Sequence, residues 1–131
     1  MSVKTLYCVV GPTAIGKTKF AIALAQTLET EILSSDSRQF YKELHIGTAV
    51  PSKEELQAIP HHCIQHQSIF NTYTVGDFEK DALLILNKQF KTKQAMVLVG
   101  GSGLYTDAVV NGLDIFPDVP ETLKNKILLV P

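Results

Sequence analysis

The stretch Gly11-Pro12-Thr13-Ala14-Ile15-Gly16-Lys17-Thr18 decides how the rest of the chain is read. An apolar run, Thr5-Leu6-Tyr7-Cys8-Val9-Val10, leads into it, and a helix-period segment, Lys19-Phe20-Ala21-Ile22-Ala23-Leu24-Ala25, leads out. Strand, glycine-rich loop and helix in that order are what a phosphate-binding loop requires. The glycines let the backbone curl so that successive N–H groups converge on phosphate oxygens. Lys17 adds a point charge, the Thr18 hydroxyl can hold Mg²⁺, and the following helix presents its positive end. The pattern predicts a ligand carrying two or more phosphates.

The flanks extend the same architecture. Residues 4–10 read as a buried strand and 17–29 as a helix, with Phe20, Leu24 and Leu28 at i+4 spacing beside Ala21 and Ala25 as its apolar face. Residues 31–35 are a short second strand that ends in Asp36-Ser37-Arg38-Gln39. Ser52, with Glu55 three residues on, caps a helix over 53–59 that Pro60 ends. Residues 61–69 alternate loosely as a strand. Thr74 and Asp77 open a long helix to about residue 91, with Val75, Phe78, Ala82, Ile85 or Leu86, and Gln89 or Phe90 along its buried stripe. Residues 95–99 form the next core strand, closing on Gly100-Gly101-Ser102-Gly103. A helix over 104–110, a turn at Asn111-Gly112, a proline-containing loop and a last helix over 121–129 complete the chain. Strands alternating with helices predict an α/β fold: a three-layer, P-loop NTPase-like core whose mostly parallel sheet is flanked by helices through right-handed crossovers.

Composition bounds the function. With 131 residues, 45% apolar and 19% charged, the prior is one soluble domain. A net charge of −1 advertises no polyanion-binding surface. Arg38 is the sole arginine among 12 basic residues, whereas phosphoryl-transfer enzymes ordinarily clamp the moving group with arginines. Cys8 and Cys63 have no CxxC spacing and together suggest a reducing compartment; Cys8, inside the first apolar run, reads as a small buried thiol. No apolar stretch is long enough to span a membrane, so the expected location is cytoplasmic.

The strand at 95–99 ends without the carboxylate that motor and switch nucleotidases place there, which favours an enzyme that grips a small phosphorylated substrate. Asp36, at the end of the second strand, faces the crevice in such a sheet. It either takes a proton from an incoming nucleophile or caps a short helix over 37–41, and spacing leaves both open. Ser102 reads first as turn chemistry. His61, His62, Cys63 and His66 lack the paired spacing of structural zinc ligands, and a strand would throw His61 and His62 to opposite faces, so they read as partly buried strand residues. His45 stands alone.

Taken together, Gly11-Pro12-Thr13-Ala14-Ile15-Gly16-Lys17-Thr18, Ser34-Ser35-Asp36-Ser37-Arg38-Gln39-Phe40-Tyr41, His45-Ile46-Gly47-Thr48-Ala49-Val50-Pro51, Phe70-Asn71-Thr72-Tyr73-Thr74-Val75-Gly76-Asp77-Phe78 and Val99-Gly100-Gly101-Ser102-Gly103-Leu104-Tyr105 resemble the tRNA dimethylallyltransferase family. The resemblance runs over about residues 4–120. It implies transfer of a dimethylallyl group from its diphosphate to N6 of an adenine beside the tRNA anticodon. Residues 13–18 would grip the diphosphate with Mg²⁺ on Thr18. Thr13, Lys17 and Asp36 would form the catalytic set, with Asp36 taking the adenine proton. Asp36, Ser37, Arg38, Gln39 and Ser102 would meet the tRNA. Because diphosphate leaves, no arginine-rich phosphoryl clamp is needed.

Family members run to more than twice this length, through a helical insertion that embraces the anticodon stem. The chain is accordingly expected to be an N-terminal part of a catalytic core, monomeric and with little transferase activity alone. Rival readings are a P-loop kinase using ATP, an adenylate isopentenyltransferase acting on free nucleotide, and an inactive phosphate-binding module.

Overall fold

Strands β1 (Thr5–Val10) and β4 (Ala95–Gly100) are apolar at almost every position because both of their faces are covered. In the computed structural model, which describes residues 4–10, 16–44, 51–100, 103–115 and 124–129, their side chains alternate between two cores. Leu6, Cys8, Val10, Met96 and Leu98 face one cluster, while Val9, Val97 and Val99 face the other. β2 (Ile32–Ser34) splits the same way, Leu33 to the first and Ile32 to the second. With β3 (His61–His62) and β5 (Lys124–Leu129) they make a five-stranded, wholly parallel sheet in the order β3-β2-β4-β1-β5.

Helix α1 (Lys17–Thr27) lies on the second cluster through Ala21, Ile22 and Ala25. Helices α3 (Val75–Gln89) and α4 (Leu104–Ile115) cover the first. The short α2 (Lys53–Ala58) buries no side chain, and the predicted Ser52–Glu55 capping box holds its start. Thr74 and Asp77 form the same box on α3. Among the described residues, no helix is long and apolar enough to cross a membrane.

The chain leaves β1 through α1 on one face toward β2, and leaves β4 through α4 on the other face toward β5. The crevice at the carboxyl ends of these neighbouring strands is therefore a topological switch point.

Four sequence expectations are corrected. Phe20 is 45% exposed, because close approach to the sheet selects the small Ala21 and Ala25 with Ile22 between them, leaving Leu24 and Leu28 only partly packed. The strand predicted over 61–69 stops at His62, since Cys63 (φ 65°) and Gln65 (φ 50°) turn into left-handed backbone. Asn111-Gly112 is not a turn: α4 runs through it, and Gly112 fits tightly against Glu79 and Leu83 of α3. Residues 124–129 are a strand rather than a helix, paired along the outer edge of β1 from Thr5↔Lys124 to Val10↔Leu129. That pairing is a non-local choice.

Candidate functional site

Residues 11–15, the bulk of the predicted phosphate loop, and Ser102 lie outside the described residues, so Gly11, Pro12, Thr13, Ala14 and Ile15 have only their sequence pattern. Gly16, Lys17 and Thr18 are described, and they carry the loop into α1. Gly16 sits at the helix N-cap with φ 111° and ψ −22°, and its carbonyl accepts the Phe20 N–H at 2.8 Å. Among the described residues, no atom lies within 4 Å of where a Cβ would stand, and the left-handed backbone is what calls for glycine there. Lys17 opens the helix with a side chain that is only 6% exposed. Burial lowers its ammonium pKa; Asp36 pushes it up and Arg38 adds to the lowering. The Lys17 ammonium thus lies within the field of both the Asp36 carboxylate and the Arg38 guanidinium.

Asp36 follows β2 and caps the 3₁₀ turn Ser37–Gln39. Its Oδ1 accepts the Arg38 N–H at 3.0 Å and Arg38 Nε–H at 3.2 Å, and its Oδ2 accepts from Arg38 Nη2 at 3.0 Å. The guanidinium pKa rises through these bonds. A carboxylate offers about four lone-pair positions, and the bonds from described residues leave one on Oδ2. The two sequence readings of Asp36 are thus compatible: Oδ1 caps the turn while Oδ2 keeps an acceptor.

The turn is held from below. Phe40, fully buried, stacks on Phe78 with ring centroids 4.9 Å apart and meets Tyr105 edge-on at 5.5 Å. From the side, Gln65 N–H donates to the Gln39 carbonyl and Gln67 N–H to that of Phe40, at 2.7 and 2.9 Å. Ser34 Oγ donates to Gln39 Oε1 at 2.8 Å. Ser35 is tied to α4 through Thr106 Oγ1 at 2.7 Å and to β4 through the Val99 carbonyl. Gly100 makes that seam possible, because a Cβ there would stand 2.1 Å from Ser35 Oγ.

Two cavities open around this frame. One, a tight cleft of about 10 Å³, is lined by Lys17, Thr18, Asp36, Gln39, His61 and Gly100 among others. The second, about 220 Å³, is lined by Ser35, Asp36, Ser37, Arg38, Leu104 and Tyr105 with Gly103. Among the described residues, Asp36 lines both. The structure therefore brings Lys17, Thr18, Asp36, Ser37, Arg38 and Gln39 together.

The histidines scatter. His61 donates through Nδ1 to the Ile59 carbonyl at 2.8 Å, which leaves Nε2 buried with no partner among the described residues. His62 pairs with Glu31 at 2.7 Å, and His66 Nε2 bonds the Tyr73 hydroxyl at 3.0 Å. Among the described residues no group of His, Cys, Asp and Glu could hold a metal. Sequence reasoning missed Leu104, Tyr105 and His61 as cavity walls. The first two had a signal, since they directly follow a strand end facing the crevice; His61 had none, because its place depends on pairing with Ile32 of β2.

The family model of the IPP transferases matches residues 39–129. The chain belongs to this family. It is 53% identical over 124 residues to the tRNA dimethylallyltransferase of Flavobacterium johnsoniae, covering 95% of the chain and 40% of that protein. Against the Flavobacterium psychrophilum tRNA dimethylallyltransferase it is 54% identical over 122 residues, covering 93% and 40%. Among solved structures, the full-length tRNA isopentenylpyrophosphate transferase of Bacillus halodurans superposes with a TM-score of 0.78 at 38% identity, over 86% of this chain and 37% of that one. The chain spans about two fifths of the length of the curated relatives it matches. The expected P-loop NTPase-like, parallel α/β core is the fold found, and it is shared with this IPP transferase structure.

Proposed function

We propose that these residues form the donor-binding and proton-accepting part of a tRNA dimethylallyltransferase. The reading rests on one observation: Asp36 lines both the cavity walled by Lys17 and Thr18 and the cavity walled by Ser37, Arg38 and Tyr105. A diphosphate in the first and an adenine in the second would meet at this carboxylate. As N6 of the adenine attacks the allylic carbon, the N6–C bond forms and the C–O bond to diphosphate breaks. The N6 proton passes to the open lone pair of Asp36 Oδ2, and the electron pair leaves with the diphosphate. Lys17 takes up the growing negative charge, more strongly because its ammonium is buried. The target base must leave its stack to enter the second cavity.

The Thr18 hydroxyl, in the same cavity as the Asp36 carboxylate, belongs to the hard oxygen donor set that Mg²⁺ takes. Mg²⁺ characteristically keeps waters and substrate phosphate oxygens as its remaining ligands, which suits a site with few acidic side chains. When bound it would neutralise diphosphate charge.

Calorimetric titration tests this reading. Dimethylallyl diphosphate with Mg²⁺ is expected to bind the chain in preference to ATP, Lys17→Ala to abolish that binding, and Asp36→Ala to leave it largely intact. Preference for ATP would favour a kinase. Loss of donor binding in a folded Asp36→Ala variant would overturn the role assigned to the carboxylate.

A further inference from the structure

We infer that Arg38 is a substrate-released latch: it holds Asp36 in the free protein and moves to an RNA phosphate when the acceptor binds, which uncovers the carboxylate. The inference rests on the reading of Asp36 as the proton acceptor. Arg38 occupies three of the lone-pair positions of Asp36, one through its backbone N–H and two through its guanidinium. The backbone bond caps the turn and can persist, whereas the two guanidinium bonds are lost by rotating one side chain. That side chain is 53% exposed while Asp36 is 11% exposed, so the cation sits at the solvent end of the pair. Ion pairs with an exposed partner are weak, and a phosphodiester offers the same planar, bidentate match to a guanidinium as a carboxylate does.

The second cavity favours RNA over the prenyl donor as the source of that phosphate. Arg38 lines the cavity with Ser37, Leu104 and Tyr105, and is absent from the walls of the one holding Lys17 and Thr18. Leu104 is 66% exposed at its rim, an apolar surface against which a base can lie. Among the described residues the guanidinium pairs with Asp36 and Lys17 repels it, while the Glu43 carboxylate is held elsewhere, by Ser68 Oγ–H at 2.8 Å and Ile69 N–H at 3.0 Å. A guanidinium that occupies these lone pairs leaves few positions for another donor, so release on RNA binding would open them in the loaded site.

Arg38 is the sole arginine, so the chain gives a single arginine Nε–H resonance that needs no assignment. The test titrates the 131-residue chain with an RNA anticodon stem-loop bearing an unmodified adenine, followed by that resonance and by fluorescence anisotropy. RNA is expected to shift the resonance, and dimethylallyl diphosphate is not. Asp36→Asn frees the guanidinium in advance, so it should tighten RNA binding about two- to fivefold, and the gain should vanish in the Arg38→Ala background. Glu43→Gln, which removes an equal charge without freeing Arg38, should give a smaller gain. Arg38→Ala should also lower the salt slope of RNA binding by about 0.7. A resonance that RNA leaves in place up to millimolar concentration overturns the inference. So does an Asp36→Asn variant that binds RNA no better, or a response to the diphosphate in place of RNA. Donor binding at Lys17 is measured separately, so this latch can fail while the wider reading stands.

Discussion

Replacing Phe40 with leucine is expected to cost about 2–3 kcal/mol. The ring is fully buried and stacks on Phe78 at 4.9 Å, with Tyr105 and Tyr73 edge-on at 5.5 and 5.8 Å. Aromatic pairs contribute about 0.5–1.5 kcal/mol each beyond their area. Leucine keeps most of the buried surface but forfeits those pairs, and the space it leaves can be only partly refilled. For a chain of this size, each kcal/mol moves the midpoint by about 4 °C, so thermal unfolding followed by circular dichroism should shift by roughly 10 °C. The loss should be uneven. Phe40 ends the turn that carries Asp36, so amide exchange at Gln39 and Phe40, whose N–H groups donate to the Asp36 and Ser37 carbonyls, should accelerate more than exchange along β4. A shift below about 2 °C, or uniform acceleration across the sheet, would refute the idea that this ring anchors the site.

Gly16→Ala should destabilise by about 1–2 kcal/mol in urea unfolding because of its left-handed backbone; a neutral result would mean that the loop re-forms without that conformation. Burial lowers the pKa of both His61 and His66 from 6.5, so the unfolded chain binds more protons just below that value. Their contribution is full above about pH 6.5 and is lost as pH falls towards the folded values, so the melting temperature should begin to drop below pH 6.5, less so in His66→Asn. Burial pushes the Cys8 thiol up to about 11 and the Cys63 thiol up to about 12. Both should resist iodoacetamide at pH 8 until urea unfolds the chain, and fast native alkylation would contradict their burial.

What could be read in advance followed from local chemistry. The apolar run of β4, the two capping boxes and the glycine-lysine-threonine entry into α1 each declare themselves within a few residues. The errors lie where distant packing decides. Nothing near Phe20 says that the sheet will take Ala21 and Ile22 instead, and nothing in residues 124–129 says that β1 has an open edge. The candidate site divides in the same way. Lys17, Thr18 and Asp36 were legible because their chemistry is tied to a strand end or a helix start. His61 became visible only when β2 and β3 were side by side. The Asp36–Arg38 clamp was legible in neither sense, since a residue pair two apart forms it only when the backbone turns.

The shared wall at Asp36 has a thermodynamic consequence. Two cavities that have one carboxylate in both linings cannot fill independently, because a charge or donor placed in one changes the field felt in the other. Whatever factor an occupant of the Lys17 side applies to binding beside Arg38, the occupant beside Arg38 must return in equal measure. The order in which the two arrive is therefore free to vary with their concentrations, while the product of the two affinities is not.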